Sequence, residues 1–124
     1  MSVADQNIRV YGLKNCDTCR KARNWLERQQ IDHEFVDYRE HPIAAALLKG
    51  WAAQVGGFEK LVNRSGMTWR NLLPALKSPR SDAEWLLLIK EYPALVRRPI
   101  LVIAEQPVQI GFTDKRYASL FADE

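Results

Sequence analysis

The strongest constraint on the fold is a pair of cysteines placed between an apolar stretch and a helix-forming segment. Residues 8–12, IRVYG, predict a short buried strand, and residues 17–30 have the apolar spacing and composition of an amphipathic helix. Cys16 and Cys19 lie at the junction. The alternating residues 33–38, HEFVDY, predict a second strand. With a right-handed crossover and parallel strands, this is a βαβ unit whose helix begins at the cysteines.

The middle of the chain predicts a mostly helical insert at about residues 42–93. Pro42 suits a first helical turn, and the helical pattern continues until the glycine pair at 56–57. A looser, turn-rich segment follows. Ser81 is then a candidate N-cap with Glu84 in capping-box register, which opens a helix that ends before the next proline.

The end of the chain predicts a β-hairpin and a closing helix. Two apolar runs, residues 100–104 and 108–112, are joined by the short polar EQP, and Thr113 is a candidate N-cap. The predicted order is therefore β-α-β, helical insert, β-β-α, which is an α/β fold. No repeat, low-complexity segment or linker divides the chain, so we expect one domain over residues 1–124.

Composition narrows the classes of protein that remain. The chain has 124 residues and is 47% hydrophobic, which suffices for a core without disulfide or metal staples. Its beginning lacks the basic and apolar regions of a secretory signal, and no apolar run approaches the roughly 18 residues of a membrane span. The formal charge is +3, but lysines and arginines are scattered. We therefore expect a cytoplasmic protein that binds neither membranes nor nucleic acid directly.

The position of the two cysteines favours redox chemistry. A C-x-x-C motif that follows a strand and opens a helix is typical of redox-active pairs. The helix N-terminus favours an anion, so Cys16 should become a thiolate more easily than a free cysteine, and Lys14, Arg20 and Lys21 add positive charge nearby. Cys19 lies one turn later and could attack a mixed disulfide at Cys16. We expect the pair to form a reversible disulfide.

Two other interpretations of the cysteines stay open. Thirteen residues separate Cys19 from His33, as in a zinc finger, but seven rather than three to five separate His33 from His41, and there is no second cysteine pair. We therefore predict no metal site. The cysteines could also be two inert thiols, and the two histidines are more typical of surface or strand-end positions than of a general base.

Four segments together resemble the ArsC/Spx/YffB family of thioredoxin-fold proteins, most strongly its YffB branch. They are YGLKNCDTCRKARNWL (residues 11–26), NRSGMTWR (63–70), RRPI (97–100) and VQIGF (108–112). The resemblance implies a thioredoxin-like fold with a cis peptide before Pro99, facing the cysteine loop. It implies Cys16 as nucleophile and Arg98 beside it as an anion-binding catalytic residue, and the spacing of the motif adds Cys19 to the catalytic set. We expect substrate contacts from a further set of six residues: Lys14, Asn15, Thr18, Arg64, Arg70 and Pro99.

The family pattern is incomplete in this chain. The arsenate reductases of the family use three arginines at the nucleophile, and only Arg98 matches, because Pro74 and Gly111 align with the other two. Those enzymes also have a proline where this chain has Lys14. Loss of two charge-assisted contacts, at roughly 1.5–3 kcal/mol each, would slow oxyanion chemistry by orders of magnitude. Arg64 and Arg70 are the candidate replacements.

The resemblance implies partners as well as chemistry. The YffB branch implies a thiol-disulfide reductase that binds no cofactor and uses glutathione as co-substrate, with glutathione or glutaredoxin as partner and a small-molecule or disulfide substrate. We expect a monomer. Because Spx regulators have a C-x-x-C switch at this position, the alternatives are a redox-sensing regulator that binds the RNA polymerase α subunit and a true arsenate reductase.

Overall fold

The computed structural model describes residues 7–122. Its internal contacts group the chain into two compact units, one from Met1–Asp37 and Arg98–Glu124 and the other from Tyr38–Arg97. We call them the sheet unit and the helical unit. The single domain expected from the sequence stays a prediction. No helix within residues 7–122 is long and apolar enough to cross a membrane.

The sheet unit holds a four-stranded mixed sheet in the order β2-β1-β3-β4. The strands are β1 (Ile8–Gly12), β2 (Glu34–Asp37), β3 (Ile100–Ile103) and β4 (Gln109–Ile110). β1 pairs with β2 in parallel and with β3 in antiparallel register, and β3 and β4 form the predicted hairpin. The thioredoxin-like α/β class is confirmed.

Two helices belong to the sheet unit, α1 (Asp17–Arg28) and α6 (Asp114–Leu120). Their apolar faces join the sheet in one buried cluster that contains Val10, Leu26 and Leu101, each with essentially no exposed surface. Trp25 of α1 meets Tyr117 of α6 edge to face, with ring centroids 5.7 Å apart. This burial fixes which face of α1 turns inward, and it therefore fixes where the first turn presents each cysteine.

The helical unit contains α2 (Ala45–Val55), α3 (Phe58–Leu61), α4 (Met67–Arg70) and α5 (Asp82–Glu91). Two 3-10 turns, Pro74–Lys77 and Pro93–Leu95, complete it. The predicted caps are confirmed: Glu84 N–H donates to the Ser81 hydroxyl at 3.2 Å, and Gly56, with φ 99°, ends α2. Trp85 stacks against Phe58 and Trp69, with centroids 6.1 and 6.0 Å away.

Three predicted boundaries are wrong for identifiable reasons. Pro42 lies outside α2, because residue Ala44, with ψ 143°, keeps the chain extended until Ala45. α1 ends at Arg28 rather than at residue 30, because Gln30 adopts a left-handed φ of 56°. β4 is only two residues long, because Gly111, with φ 85°, turns the chain out of the strand.

Candidate active site at the start of α1

Cys16 is the N-cap of α1. Its backbone is extended, with φ −94° and ψ 123°, and its carbonyl accepts the Arg20 N–H at 3.0 Å. Its own N–H donates to the Leu13 carbonyl at 3.2 Å, which closes the turn that contains Lys14 and Asn15. The thiol is partly exposed and thus accessible from solvent. The sulfur therefore lies where unpaired backbone N–H groups of the first helical turn point.

The surroundings of Cys16 favour its thiolate. Partial burial acts to raise the pKa, but the backbone N–H of Cys19, the Cys19 thiol, the backbone N–H of Thr18 and the positive charge of Arg98 together hold the pKa of Cys16 below its ordinary value. Three of these contributions are hydrogen bonds to the sulfur, and all are supplied by groups the fold holds in place. These surroundings therefore favour ionisation of Cys16 over that of a free cysteine.

Cys19 has the opposite chemistry. Its side chain is 1% exposed, and burial, together with its contact to the Cys16 sulfur, raises its pKa to about 12 despite an N–H from Leu13 and the charge of Arg98. Cys19 thus holds its proton more strongly than a free cysteine does. Cys19 is therefore a hydrogen-bond donor to Cys16 at neutral pH.

Gly12, the last residue of β1, makes room for this arrangement. A Cβ at Gly12 would lie 2.5 Å from Cys19 Sγ and 3.4 Å from the Phe35 ring. No side chain other than hydrogen fits between the strand and the buried sulfur. The sequence showed this glycine only as the end of a strand, and its role follows from the approach of α1.

Asp37 is a site residue that sequence reasoning missed. It ends β2, is 8% exposed, and its Oδ2 accepts the Lys14 N–H at 3.0 Å. Because β1 and β2 are parallel and paired as neighbours, the end of β2 lies beside the loop that follows β1. The carboxylate thus holds the cysteine loop by its backbone. No local pattern in the sequence marks Asp37, because its partner lies 23 residues away in the chain.

Arg98 and Pro99 are joined by a cis peptide bond, as the family resemblance predicted. Arg98 is half-buried, and its positive charge acts to lower the pKa of each cysteine, although burial outweighs this contribution at Cys19. Pro99 is fully buried, and its carbonyl accepts the Gly111 N–H at 2.8 Å. The structure therefore brings Arg98 to the cysteine pair, whereas a substrate contact by Pro99 stays a prediction.

The remaining predicted substrate contacts fall into two groups. Lys14, Asn15 and Thr18 are exposed in the loop and first turn around Cys16. Arg64 and Arg70 are exposed residues of the helical unit, beside and within α4. Their part in substrate binding stays a prediction.

The position that aligns with the third arginine of the arsenate reductases also has a cation nearby. A Cβ at Gly111 would lie 3.2 Å from Nη2 of Arg116. The Arg116 guanidinium donates a hydrogen bond to the Ile110 carbonyl, which anchors it to the edge strand. Arg116 therefore occupies space that a longer side chain at Gly111 would need, and its present contact is with backbone.

The chemistry available at the cysteines is thiol chemistry. Within residues 7–122, no three histidine, cysteine or acidic side chains come together as ligands of a metal ion. Both cysteines are free thiols rather than a disulfide in this structure. Nucleophilic attack by the Cys16 sulfur is what the hydrogen bonds and charges here promote.

Comparison with known proteins agrees with the geometry. Residues 11–120 match the ArsC family. A solved structure of a protein called YffB is 33% identical, with a TM-score of 0.83, and the match covers 94% of this chain and 100% of that one. An arsenate reductase (ArsC) related protein from Brucella melitensis is 35% identical, with a TM-score of 0.71 and coverage of 94% and 96%.

A regulator is among the relatives as well. Global transcriptional regulator Spx 2 of Bacillus anthracis is 31% identical over 107 residues, which are 86% of this chain and 80% of the regulator. The family match begins at the end of β1, includes the cysteine loop and the cis-proline, and ends in α6. The resemblance predicted from the sequence is confirmed, and the chain belongs to the ArsC family.

Proposed function

We propose that this protein is a thiol-dependent oxidoreductase that reduces glutathione mixed disulfides, with Cys16 as nucleophile and glutathione as co-substrate. The observation that carries the proposal is the lowered pKa of Cys16, which results from two backbone N–H groups, one thiol and the charge of Arg98 acting on one accessible sulfur. A lowered pKa produced by several donors around one accessible thiol is typical of a functional site rather than of an inert surface cysteine.

The first half-reaction is a thiol-disulfide exchange. The Cys16 thiolate attacks the glutathione sulfur of a mixed disulfide R–S–S–G, so that a Cys16–glutathione disulfide forms and the S–S bond of the substrate breaks. The departing R–S⁻ takes a proton from solvent. Arg98 is half-buried and acts on the Cys16 sulfur, and it would also attract a carboxylate of the bound tripeptide.

The second half-reaction regenerates the thiolate. A second glutathione thiolate attacks the glutathione sulfur of the adduct, which yields oxidised glutathione and returns the electron pair to Cys16. Cys19 is a poor competitor for this step, because burial is the largest cause of its raised pKa and persists after Cys16 has lost its charge. A monothiol cycle with Cys19 as a hydrogen-bond donor is thus the route we propose.

Side-by-side turnover tests this proposal. The purified protein would be assayed with the mixed disulfide of glutathione and cysteine, and separately with arsenate, with glutathione and glutaredoxin supplied to both. We expect turnover of the mixed disulfide and little reduction of arsenate, since only Arg98 of the three family arginines is present. Arsenate reduction at the higher kcat/KM would replace the proposal with a true arsenate reductase, and activity retained by Cys16→Ser would exclude both.

A second function is supported by the likeness to Spx 2. That relative is named a global transcriptional regulator, and it matches over 86% of this chain. A redox-sensing regulator would bind the α subunit of RNA polymerase in one oxidation state of the pair and would turn over no substrate. Immobilised α subunit, tested with the reduced and the diamide-oxidised protein, decides this: redox-dependent binding favours the regulator, and absence of binding in both states excludes it.

A further inference from the structure

The helical unit contains a large apolar cavity with no part in the chemistry described above. Its volume is about 580 Å³, within the range of roughly 300–1,000 Å³ typical of small-molecule sites. It lies between α2 and α5, and the extended segment that precedes α2 forms part of its wall. Every lining residue belongs to Tyr38–Arg97.

The walls of this cavity are aliphatic. Leu48 and Ile89 in its lining are buried, whereas Leu87, which also lines it, is 64% exposed. Such exposure of a large aliphatic side chain beside a cavity is unfavourable in water, and an apolar occupant would relieve it. The chemistry of the walls therefore selects a ligand with a hydrocarbon body.

The polar groups that line the cavity indicate which charge a bound ligand should have. Among the described residues that line it, Lys90 is the only charged one, and its ammonium makes no ion pair within residues 7–122. The one lining phenol, Tyr38, already donates to the Val96 carbonyl at 2.6 Å. The available polar partner is therefore a cation.

The N-terminus of α2 adds positive electrostatic potential to the cavity. Ala44 and Ala45, which line the cavity, form the N-terminus of this helix, where no side chain caps the backbone and the first turn has no acidic residue. Its N–H groups add positive potential to that of Lys90. This feature supports the charge argument and would not by itself define a site.

From the size, the walls and the charge together, we propose that this cavity binds a small apolar monocarboxylic acid, with the hydrocarbon between α2 and α5 and the carboxylate toward Lys90. A medium-chain fatty acid has this chemistry. None of the residues that act on the pKa of Cys16 lines this cavity.

Calorimetric titration of the full chain with decanoate, below its micelle-forming concentration, tests the proposal. We expect saturable binding of one decanoate per chain, and weaker binding of decylamine, whose charge is reversed. Lys90→Gln should weaken decanoate binding about threefold to tenfold, the scale of one partly exposed ion pair. Lys49→Gln is the matched control, because Lys49 is an exposed lysine of α2 that does not line the cavity.

A second variant tests the location. Ala83 is exposed on α5 and lines the cavity, so Ala83→Phe should fill the mouth without disturbing the core and weaken binding more than tenfold. The proposal is overturned if decanoate does not bind, if decylamine binds as tightly, or if both lysine variants behave alike. It is equally overturned if sedimentation shows a dimer that Leu87→Lys dissociates, because a second copy would then cover the cavity.

Discussion

The outer and inner faces of the first turn of α1 give two cysteines, three residues apart, opposite properties. On the outer face, Cys16 receives hydrogen bonds from the helix N-terminus and the charge of Arg98, and its pKa is lowered. On the inner face, Cys19 packs against Gly12, and burial raises its pKa to about 12. The two sulfurs of a C-x-x-C motif can therefore differ in pKa and reactivity, because the helix places one of them at the surface and the other in the core.

Removal of the outer sulfur should have the largest effect. Cys16→Ser replaces the thiolate with a hydroxyl that stays protonated, so we expect mixed-disulfide turnover to fall by at least about 10³-fold. Thermal unfolding should change little, because the side chain is partly exposed. Residual activity within tenfold of the wild type would assign the nucleophile elsewhere.

Removal of the charge opposite the outer sulfur comes next. Arg98→Gln should raise the pKa of Cys16 and lower kcat/KM for mixed disulfide about tenfold or more, because the thiolate loses a cation, as would a carboxylate of glutathione bound as we propose. Arg20→Gln is the control, since Arg20 is exposed and pairs with Asp17 at 3.2 Å. Equal effects of the two substitutions would reduce Arg98 to a general surface charge.

Removal of the Asp37 carboxylate, which holds the cysteine loop, should lower the free energy of unfolding. Asp37→Ala leaves the Lys14 N–H without its acceptor in a partly buried position, and we expect a loss of roughly 1–3 kcal/mol in the free energy of unfolding. The pH profile of Cys16 alkylation should also broaden, because the loop would hold the sulfur less uniformly. Asp17→Ala, at an exposed carboxylate nearby, should cost far less. Unchanged denaturation midpoints for Asp37→Ala would refute the anchoring role.

The inner sulfur should give the smallest effect on turnover. In the monothiol cycle, Cys19→Ala removes only a hydrogen bond to the thiolate, so the pKa of Cys16 should rise and turnover should fall less than about tenfold. Oxidation by mild diamide should convert little of the wild type to an intramolecular disulfide. Quantitative disulfide formation would instead support the reversible pair expected from the sequence, with Cys19 as resolving thiol.

The pH dependence of stability should also differ between the two faces. Cys19 keeps its proton in the folded protein up to a pKa of about 12, whereas in the unfolded chain it ionises near the ordinary thiol value. Between these values the unfolded state binds fewer protons, so stability falls as pH rises. Urea unfolding of wild type and Cys19→Ala at pH 8 and pH 10.5 should show a larger loss in the wild type. Equal losses would mean that Cys19 titrates normally.

The sequence predicted the elements more fully than the environments within them. Periodicity and caps located α1, the β3–β4 hairpin, Ser81 and Thr113, because these signals are local. The hydrogen bond that the Lys14 N–H donates to the Asp37 carboxylate joins residues 23 apart, and no local pattern encodes it. The same limit applies to the pKa of Cys19, which depends on how α1 packs against β1. Long-range hydrogen bonds and burial of this kind arise only once the strands have paired and α1 has packed against them.

The cavity of the helical unit could not be predicted from local sequence patterns either. The sequence predicted helices at about residues 42–93, but α2 begins three residues after Pro42, and the extended segment this leaves contributes to the cavity wall. Leu87 belongs to an apolar run, WLLLI, that predicts burial as readily as exposure. Its 64% exposure follows from the rotation of α5, which packing alone decides.

Selective alkylation of the two thiols shows whether Cys16 and Cys19 differ in reactivity as their surroundings require. The reduced protein would be pulsed with iodoacetamide from pH 4 to pH 11, digested with trypsin, and the peptide of residues 15–20 fragmented to separate modification at Cys16 from that at Cys19. We expect Cys16 to titrate at a lower pH than a free cysteine, while Cys19 stays unmodified throughout the neutral range. Modification of Cys19 first, or of both cysteines along one curve, would contradict this expectation.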